Sequence, residues 1–399
     1  FILFLIINIP SPIKVQGDGV FYYGWATSVI FDYDIDLTNQ LESVAEYDFY
    51  SKKFIEEKIT TVTGYVPNPY AFGTAILWSP FVILAKIIEN IWQTGNFETD
   101  GYSAIYMFSI NFASFLFGVL AFFVVYKTLL FYFDRKISFL SVFVMWLSTP
   151  WIYYQFFEPS MSHSASLMMV SLFFWYSMRA INIKKYSWWI FGSIVFLMIA
   201  VRWQNVLFVI VIAPLFVKYF SKRINIESLI AIFFGSAFFV FLQMIFWKLT
   251  YGSYILIPQG NAFLGKSFYF VDTLFSTNRG FLLWSPIIFL SIMGFFYIFR
   301  KNKLIAIICI SAFLFQWLLN SVLSDPGGGD AFGGRRFINT IPFLSVSLAA
   351  FFEKFWHKKI IFIGVGALIA WNFILIENYR NGSIPHQGTF NIFEIDYFF

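Results

Sequence analysis

Of 399 residues, 59% are hydrophobic, 23% aromatic and only 12% charged, with a mean hydropathy of +0.71. Such a composition excludes a soluble multidomain protein, a disordered chain and a coiled coil, because a surface this apolar would not stay monomeric in water. Lipid is the expected solvent, so the excess of 27 Lys+Arg over 22 Asp+Glu is read as topological rather than as a nucleic-acid footprint, and a lone Cys309 excludes disulfide frameworks and Cys-type zinc clusters.

The chain opens with about eight apolar residues before Pro10, short of the ~20 that cross a bilayer, so residues 1–9 read as the truncated end of a first span. Residues 10–102 form a long first extracytoplasmic loop, enriched in the Asp, Asn, Gly and Pro that the rest of the chain lacks. It begins Gln16-Gly17-Asp18-Gly19-Val20-Phe21-Tyr22-Tyr23. Two glycines allow a close backbone approach, and Asp18 leads into a helix marked by Phe21, Tyr22, Trp25 and Ile30. Asp18 is either a functional carboxylate at the membrane edge or the N-cap of that helix.

Next, Asp32, Asp34 and Asp36 alternate ahead of Asn39. In an extended segment they would share one side, as a divalent cation or sugar hydroxyls would require; the alternative is a solvated loop. The apolar run 69–92 is broken by Gly73, Pro80, Lys86 and Glu89, and reads as an interfacial or re-entrant juxtamembrane helix.

The bundle, 103–376, holds apolar runs at about 103–126, 137–155, 162–180, 186–201, 204–217, 228–247, 282–299, 304–321, 337–353 and 359–376. With the truncated first span, the expected fold is all-α: a polytopic bundle of about eleven spans, followed by an extracytoplasmic tail, 377–399. Charge fixes the sidedness. If 69–92 does not cross, every short inner loop carries three cations: Lys127, Arg135 and Lys136; Arg179, Lys184 and Lys185; Lys218, Lys222 and Arg223; Arg300, Lys301 and Lys303; Lys354, Lys358 and Lys359.

Three polar constellations then fall on the outer face. Glu158-Pro159-Ser160-Met161-Ser162-His163 sits at a span terminus, where an acid and a His are costly unless paired or solvated. Glu158 and His163 are therefore candidate catalytic residues, or else a helix cap and a satisfied core His. Ser276-Thr277-Asn278-Arg279-Gly280 precedes another span end, and Asp325 to Phe337 sets Asp330, Arg335 and Arg336 among five glycines. Backbone N–H groups and guanidinium forks together suit a phosphate.

No Walker A, GxGxxG, HExxH or GxSxG motif occurs, and no internal repeat is evident. A carboxylate, phosphate-binding cations and an aromatic bundle describe an enzyme that takes an activated group from a lipid phosphate at the outer leaflet. The acceptor hydroxyl needs a general base, and the departing phosphate needs cations.

The Gly-Asp-Gly-x-x-Tyr-Tyr start, the segment from Asn68-Pro69-Tyr70 to Trp78-Ser79-Pro80-Phe81, Glu-Pro-Ser-Met-Ser-His and Phe-Gly-Gly-Arg-Arg-Phe, spread over about 15–350, resemble the bacterial GT-C membrane glycosyltransferases, related to the protein mannosyltransferase and aminoarabinose transferase group. The resemblance implies a polyprenyl-phosphate sugar donor, inversion at the anomeric carbon and a catalytic Asp in the first outer loop, which matches Asp18. Many relatives have Asp-Glu where this chain has Asp18-Gly19, so a second acid must come from Asp34, Asp36 or Glu158, and metal dependence stays open. Arg335 and Arg336, with Arg279 or Arg202, would bind the donor phosphate.

The expected location is a bacterial inner membrane with the site facing the periplasm or exterior. Partners are membrane lipids, the lipid-linked sugar donor and a glycan, lipid or protein acceptor, with no nucleic acid. A lipid or glycan transporter and a non-catalytic subunit of a membrane complex are the rival readings.

Overall fold

A computed structural model of the chain describes residues 1–9, 11–92, 100–183, 186–220, 225–260, 264–265 and 267–394. Lys184, Lys185, Lys222 and Arg223 of the inner triplets, Pro10, and 395–399 of the tail lie outside the described residues.

Among the described residues the architecture is helical, without a strand beyond one isolated bridge, Leu264 to Leu323. The first region contains α1 (Ile2–Asn8), α2 (Asp18–Thr27) prolonged by a π turn (Ser28–Asp32), α3 (Thr38–Glu42), α4 (Phe49–Glu56) and α5 (Gly73–Trp92). The bundle follows with α6 (Ala104–Leu129), α7 (Arg135–Leu147), α8 (Pro150–Phe156), α9 (His163–Ile183), α10 (Trp188–Val201), α11 (Val206–Phe220) and α12 (Ile226–Tyr251). Two short helices, α13 (Asp272–Phe275) and α14 (Phe281–Trp284), lead to α15 (Ile287–Lys301), α16 (Lys303–Ser321), α17 (Ile341–Phe355) and α18 (Lys359–Arg380).

Most apolar runs of the bundle are single helices, whereas 137–155 divides into α7 and α8 and 282–299 into α14 and α15, and polar residues punctuate the joints. Asp134 caps α7 by accepting from the backbone of Lys136 and Ile137, at 2.8 and 2.9 Å. Asn302 caps α16 through Ile305 N. Gly252, at φ +75, closes α12 in the left-handed region. Small residues bring helices together where lipid supplies no hydrophobic drive. A Cβ on Gly294 of α15 would fall 1.9 Å from the Ser347 carbonyl of α17, so only glycine permits that contact.

Four described helices are long and apolar enough to cross a membrane, α5, α6, α16 and α18, and a fifth is made if α7 and α8, bent by 68°, count as one span. This is fewer than the eleven spans expected. α10, with 14 residues, and α15 and α17, with 15 each, fall short of the ~20 residues that a perpendicular crossing needs. The bend between α7 and α8 arises where Thr149 caps a new helix with Pro150 at its first position.

The bundle has two distinct ends. At one, the Tyr132 hydroxyl after α6 meets Met178 Sδ of α9 at 3.2 Å, and Lys301 reaches both the Tyr132 carbonyl, at 2.9 Å, and Glu353, at 2.7 Å. Lys301, one of the expected inner cations, thus joins the segment after α6 to the end of α17. The starts of α6 and α9 and the end of α10 form the opposite end.

Both ends of α5 are held by neighbours. Gly73 is pressed against Ala200 and Val201. Lys86 donates to the Ile30 carbonyl at 3.0 Å, and Glu89 accepts from Ser103 and Tyr106 at the start of α6. The charges that interrupt run 69–92 are therefore spent on neighbouring backbone and side chains, and α5 packs along α6 through Trp78 on Ser114 and Phe81 on Phe112.

Candidate functional site

The site forms where the start of α2 meets three arginines from distant parts of the chain. Gly17, at φ +56, donates its N–H to Asp48 Oδ1 at 2.6 Å, while Asp48 Oδ2 caps α4 by accepting from Ser51 N at 2.8 Å. A single buried carboxylate thereby anchors two helix starts and aims the first residue of α2, Asp18. Gly19 rests on the turn before α9, where an added Cβ would lie 2.7 Å from Ser160 Oγ. That close seat brings the Glu158 turn beside Asp18.

Asp18 Oδ2 lies 3.1 Å from Arg335 Nη1, with the two side chains 30% and 11% exposed. Burial works against the Asp18 charge, but Arg335, the Tyr70 hydroxyl, Arg202 and Arg336 together outweigh it and hold the carboxyl below its ordinary pKa. Asp18 is not an N-cap; Gly17 holds that position, and Asp18 is the first helical residue.

The other two arginines are held by different groups. Arg336 Nη1 donates to the Asp325 carbonyl, and its Nη2 lies 3.4 Å from Asp325 Oδ2. Burial, reinforced by Arg335, draws the Arg336 pKa down to about 10. Arg202 Nη1 donates to His163 Nδ1 at 2.8 Å, which places the imidazole proton on Nε2. His163 is 3% exposed, stacks at 4.4 Å on Tyr154 and lies outside the cavity lining. It supports Arg202 from behind and does not itself line the cavity.

Asp18, Tyr22, Tyr70, Arg202, Arg335 and Arg336, with Gln204 and Gln259, supply the polar lining of one cavity of about 530 Å³. Much of the remaining lining is apolar: Val206, Leu207, Trp247, Leu256, Ile257, Pro258, Leu319 and Leu323. Trp203, also in the lining, stacks on Trp247 with ring centroids 5.0 Å apart. Three guanidiniums against one carboxylate leave the lining with a surplus of positive charge. Such a chamber fits an anionic head group attached to an apolar body.

Glu158 lies near this cavity but outside its lining. It accepts from the Tyr153 hydroxyl at 2.9 Å, while its other oxygen is buried with no hydrogen-bond partner among the described residues. Burial pushes its carboxyl up to about 7; Tyr153 and Arg335 pull it down, and Asp18 and Asp330 push it further up.

The remaining expected residues lie elsewhere. Asp34 accepts from Ser28 Oγ at 2.6 Å and from the Asp36 backbone, Asp36 accepts from Thr38, and Asp32 accepts from Gln40. The segment is a π turn ending in left-handed Tyr33, not an extended strand, so the three carboxylates close their own turn. Asn39 is exposed in α3, where its carbonyl accepts from Ser43. Asp330 accepts from Tyr50 across 3.4 Å and is not in the lining. Among the described residues no group of three or more His, Cys, Asp or Glu could hold a metal ion, so Asp34, Asp36 and Asp330 do not assemble into the cation site that their sequence suggested.

Arg279 also departs from expectation. It is 2% exposed and spends its guanidinium on backbone carbonyls and Asn278, away from the cavity. Several of the glycines in 325–337 likewise serve close packing: Gly327 lies against Asn278, Gly333 against Pro150 and Gly334 against Phe281.

Sequence reasoning missed Asp48 and gave no role of their own to Tyr70 and Asp325, although both stand in quoted motifs. The Asp48-x-x-Ser51 spacing is a recognisable cap signal. Asp325, just before Pro and three glycines, could have been paired with the arginines ten residues on; the Asn68-Pro69-Tyr70 segment contains Tyr70 but does not show that its hydroxyl faces Asp18. No protein-family model matches the chain, and no curated protein matches it.

Proposed function

We propose that the protein is a multi-pass membrane glycosyltransferase of the GT-C type, with α5 as a juxtamembrane helix and the arginine end of the bundle on the periplasmic or outer face of a bacterial inner membrane. In this reading the shorter helices cross the membrane as well, giving about eleven spans. The donor is a sugar on a polyprenyl phosphate, and the acceptor is a hydroxyl on a glycan, lipid or protein. The observation that carries the reading is the Asp18–Arg335 ion pair, 3.1 Å long, inside a cavity that adds Arg202, Arg336 and an apolar wall.

The chemistry follows from the charges. Asp18 accepts the proton of the acceptor hydroxyl as its oxygen bonds to the anomeric carbon, and the bond from that carbon to the phosphate oxygen breaks. The leaving polyprenyl phosphate gains a negative charge, which Arg202, Arg335 and Arg336 are placed to stabilise. An Asp locked onto Arg335 is a poor base. A phosphate entering the cavity competes for the same guanidinium and releases the carboxylate, so the donor binds before the base becomes active. His163 keeps Arg202 aimed, and no step is routed through a metal.

Sugar transfer from a polyprenyl-phosphate sugar, measured in membranes carrying the wild type or Asp18→Asn, tests this. Loss of transfer in the variant supports the assignment. A wild-type rate removes Asp18 from the mechanism, and lipid movement without a covalently glycosylated product identifies a transporter instead.

A further inference from the structure

Arg279 spends its five N–H donors on neutral oxygens: Nε on the Ala331 carbonyl at 2.7 Å, Nη1 on Asn278 Oδ1 and the Gly388 carbonyl, and Nη2 on the Pro385 and His386 carbonyls. No carboxylate is among these partners. A buried cation satisfied only by carbonyls is stable while all of them stay in place and costly once they leave. One of those carbonyls belongs to the glycine-rich loop that carries Arg335 and Arg336, and three belong to the segment that follows α18.

The loop needs such a fastening. Gly328, Gly329 and Gly333 all take positive φ, at +83, +73 and +59, and glycine backbone loses more freedom on ordering than any other. Besides Arg279, the loop is held by the Tyr154 hydroxyl, which bonds both Phe332 N and Phe332 O, by Gly328 N and Arg336 on Asp325, by Arg335 on Asp18, by Tyr50 on Asp330, and by the buried Phe332 ring against Tyr153, Trp284 and Tyr379. The C-terminal segment is seated by Ile384, 1% exposed, with its N–H on the Asn378 carbonyl at 2.9 Å, and by the His386 ring 4.5 Å from Tyr379.

We propose that Arg279 and residues 384–388 form a clasp that locks the 325–337 loop and thereby positions Arg335 and Arg336 in the cavity. Lifting the segment strips Arg279 of three partners at once, so segment and loop open as one unit. Arg279 is a positioning residue, not a phosphate ligand. The lock stands on its own geometry; that it sets phosphate affinity rests on the function proposed above.

Hydrogen exchange on the full chain in detergent tests the lock without any ligand. In the wild type, amides of 327–334 and 381–388 should share one opening free energy across a denaturant series. A loop that opens independently of the segment overturns the clasp. Ile384→Glu places a carboxylate in the buried seat, and Arg279→Lys leaves three donors in place of five. Both should speed exchange of 327–334 by roughly tenfold or more while α6 and α9 keep wild-type protection; unchanged loop exchange in both overturns the proposal.

Farnesyl phosphate serves as the probe of what the loop presents. Its dissociation constant should rise roughly tenfold in both variants, about 1.4 kcal/mol. Faster loop exchange with unchanged farnesyl phosphate affinity overturns the positioning role. Wild-type protein that binds no farnesyl phosphate, with the coupled exchange intact, sinks the glycosyltransferase reading and leaves the lock standing.

Discussion

Two acidic turns lie at opposite ends of α2 and its π extension, and they met different fates. Asp32, Asp34 and Asp36 find their partners within ten residues along the chain, on Gln40, Ser28, Thr38 and their own backbone. Asp18 faces Arg335 and lies within the fields of Arg202 and Arg336, residues brought from far along the chain. Three alternating carboxylates made the richer motif, yet a motif that satisfies itself has little left for a ligand. A single acid whose partners come from elsewhere opens onto a cavity.

The sharpest way to break this contrast is to neutralise one acid at each end. Asp18→Asn should lower kcat for sugar transfer by roughly 10²- to 10⁴-fold, the range of a general base, while Asp34→Asn should transfer at the wild-type rate. Equal losses at both ends, read in the same membranes, would erase the distinction.

Glu158 adds strain to the cavity end. Its carboxyl, raised from 4.5 to about 7, keeps its proton longer in the folded than in the unfolded chain. Stability therefore falls as pH rises from about 4.5 to about 7 and is level above that. Glu158→Gln should abolish this slope, leaving the variant more stable than the wild type above pH 7 by on the order of 2–3 kcal/mol and little changed at pH 4. Thermal midpoints in detergent at pH 4, 6 and 8 decide it; parallel curves for the two proteins would show that folding leaves the Glu158 carboxyl unshifted.

Charge-assisted phosphate contacts give the next effect. Arg202→Ala or Arg336→Ala should each raise the donor KM by roughly 10- to 100-fold, the equivalent of about 1.5–3 kcal/mol, with kcat changed less. In Arg335→Gln the acid limb of kcat/KM should also move to higher pH, because the group that depresses Asp18 is gone. An acid limb that stays in place would uncouple the pair.

The smallest effect belongs to the self-contained turn. Asp34→Ala removes bonds from Ser28 and from the Asp36 backbone, and should cost about 1 kcal/mol of stability without altering transfer. A measurable loss of activity would give the far end of α2 a role that its geometry does not suggest.

The helices were legible in the sequence because hydrophobic content and chain length are local properties. Most apolar runs became single helices, and Asp134, Thr149 and Asn302 announce their helix starts through short-range hydrogen bonds. That Asp18 and Arg335 belong together was also readable, since few polar residues were left for the opposite face.

What tertiary structure alone decided is the fate of side chains that look alike in sequence. Arg279 and Arg335 both neighbour glycines in outer loops, yet one is consumed by carbonyls up to 109 positions away and the other faces a cavity. His163 and Glu158 share a six-residue motif, yet one props an arginine and the other keeps a buried oxygen without a partner. Residue identity and spacing determine which donors and acceptors a chain has, whereas the packing of distant segments determines which of them still have capacity for a ligand.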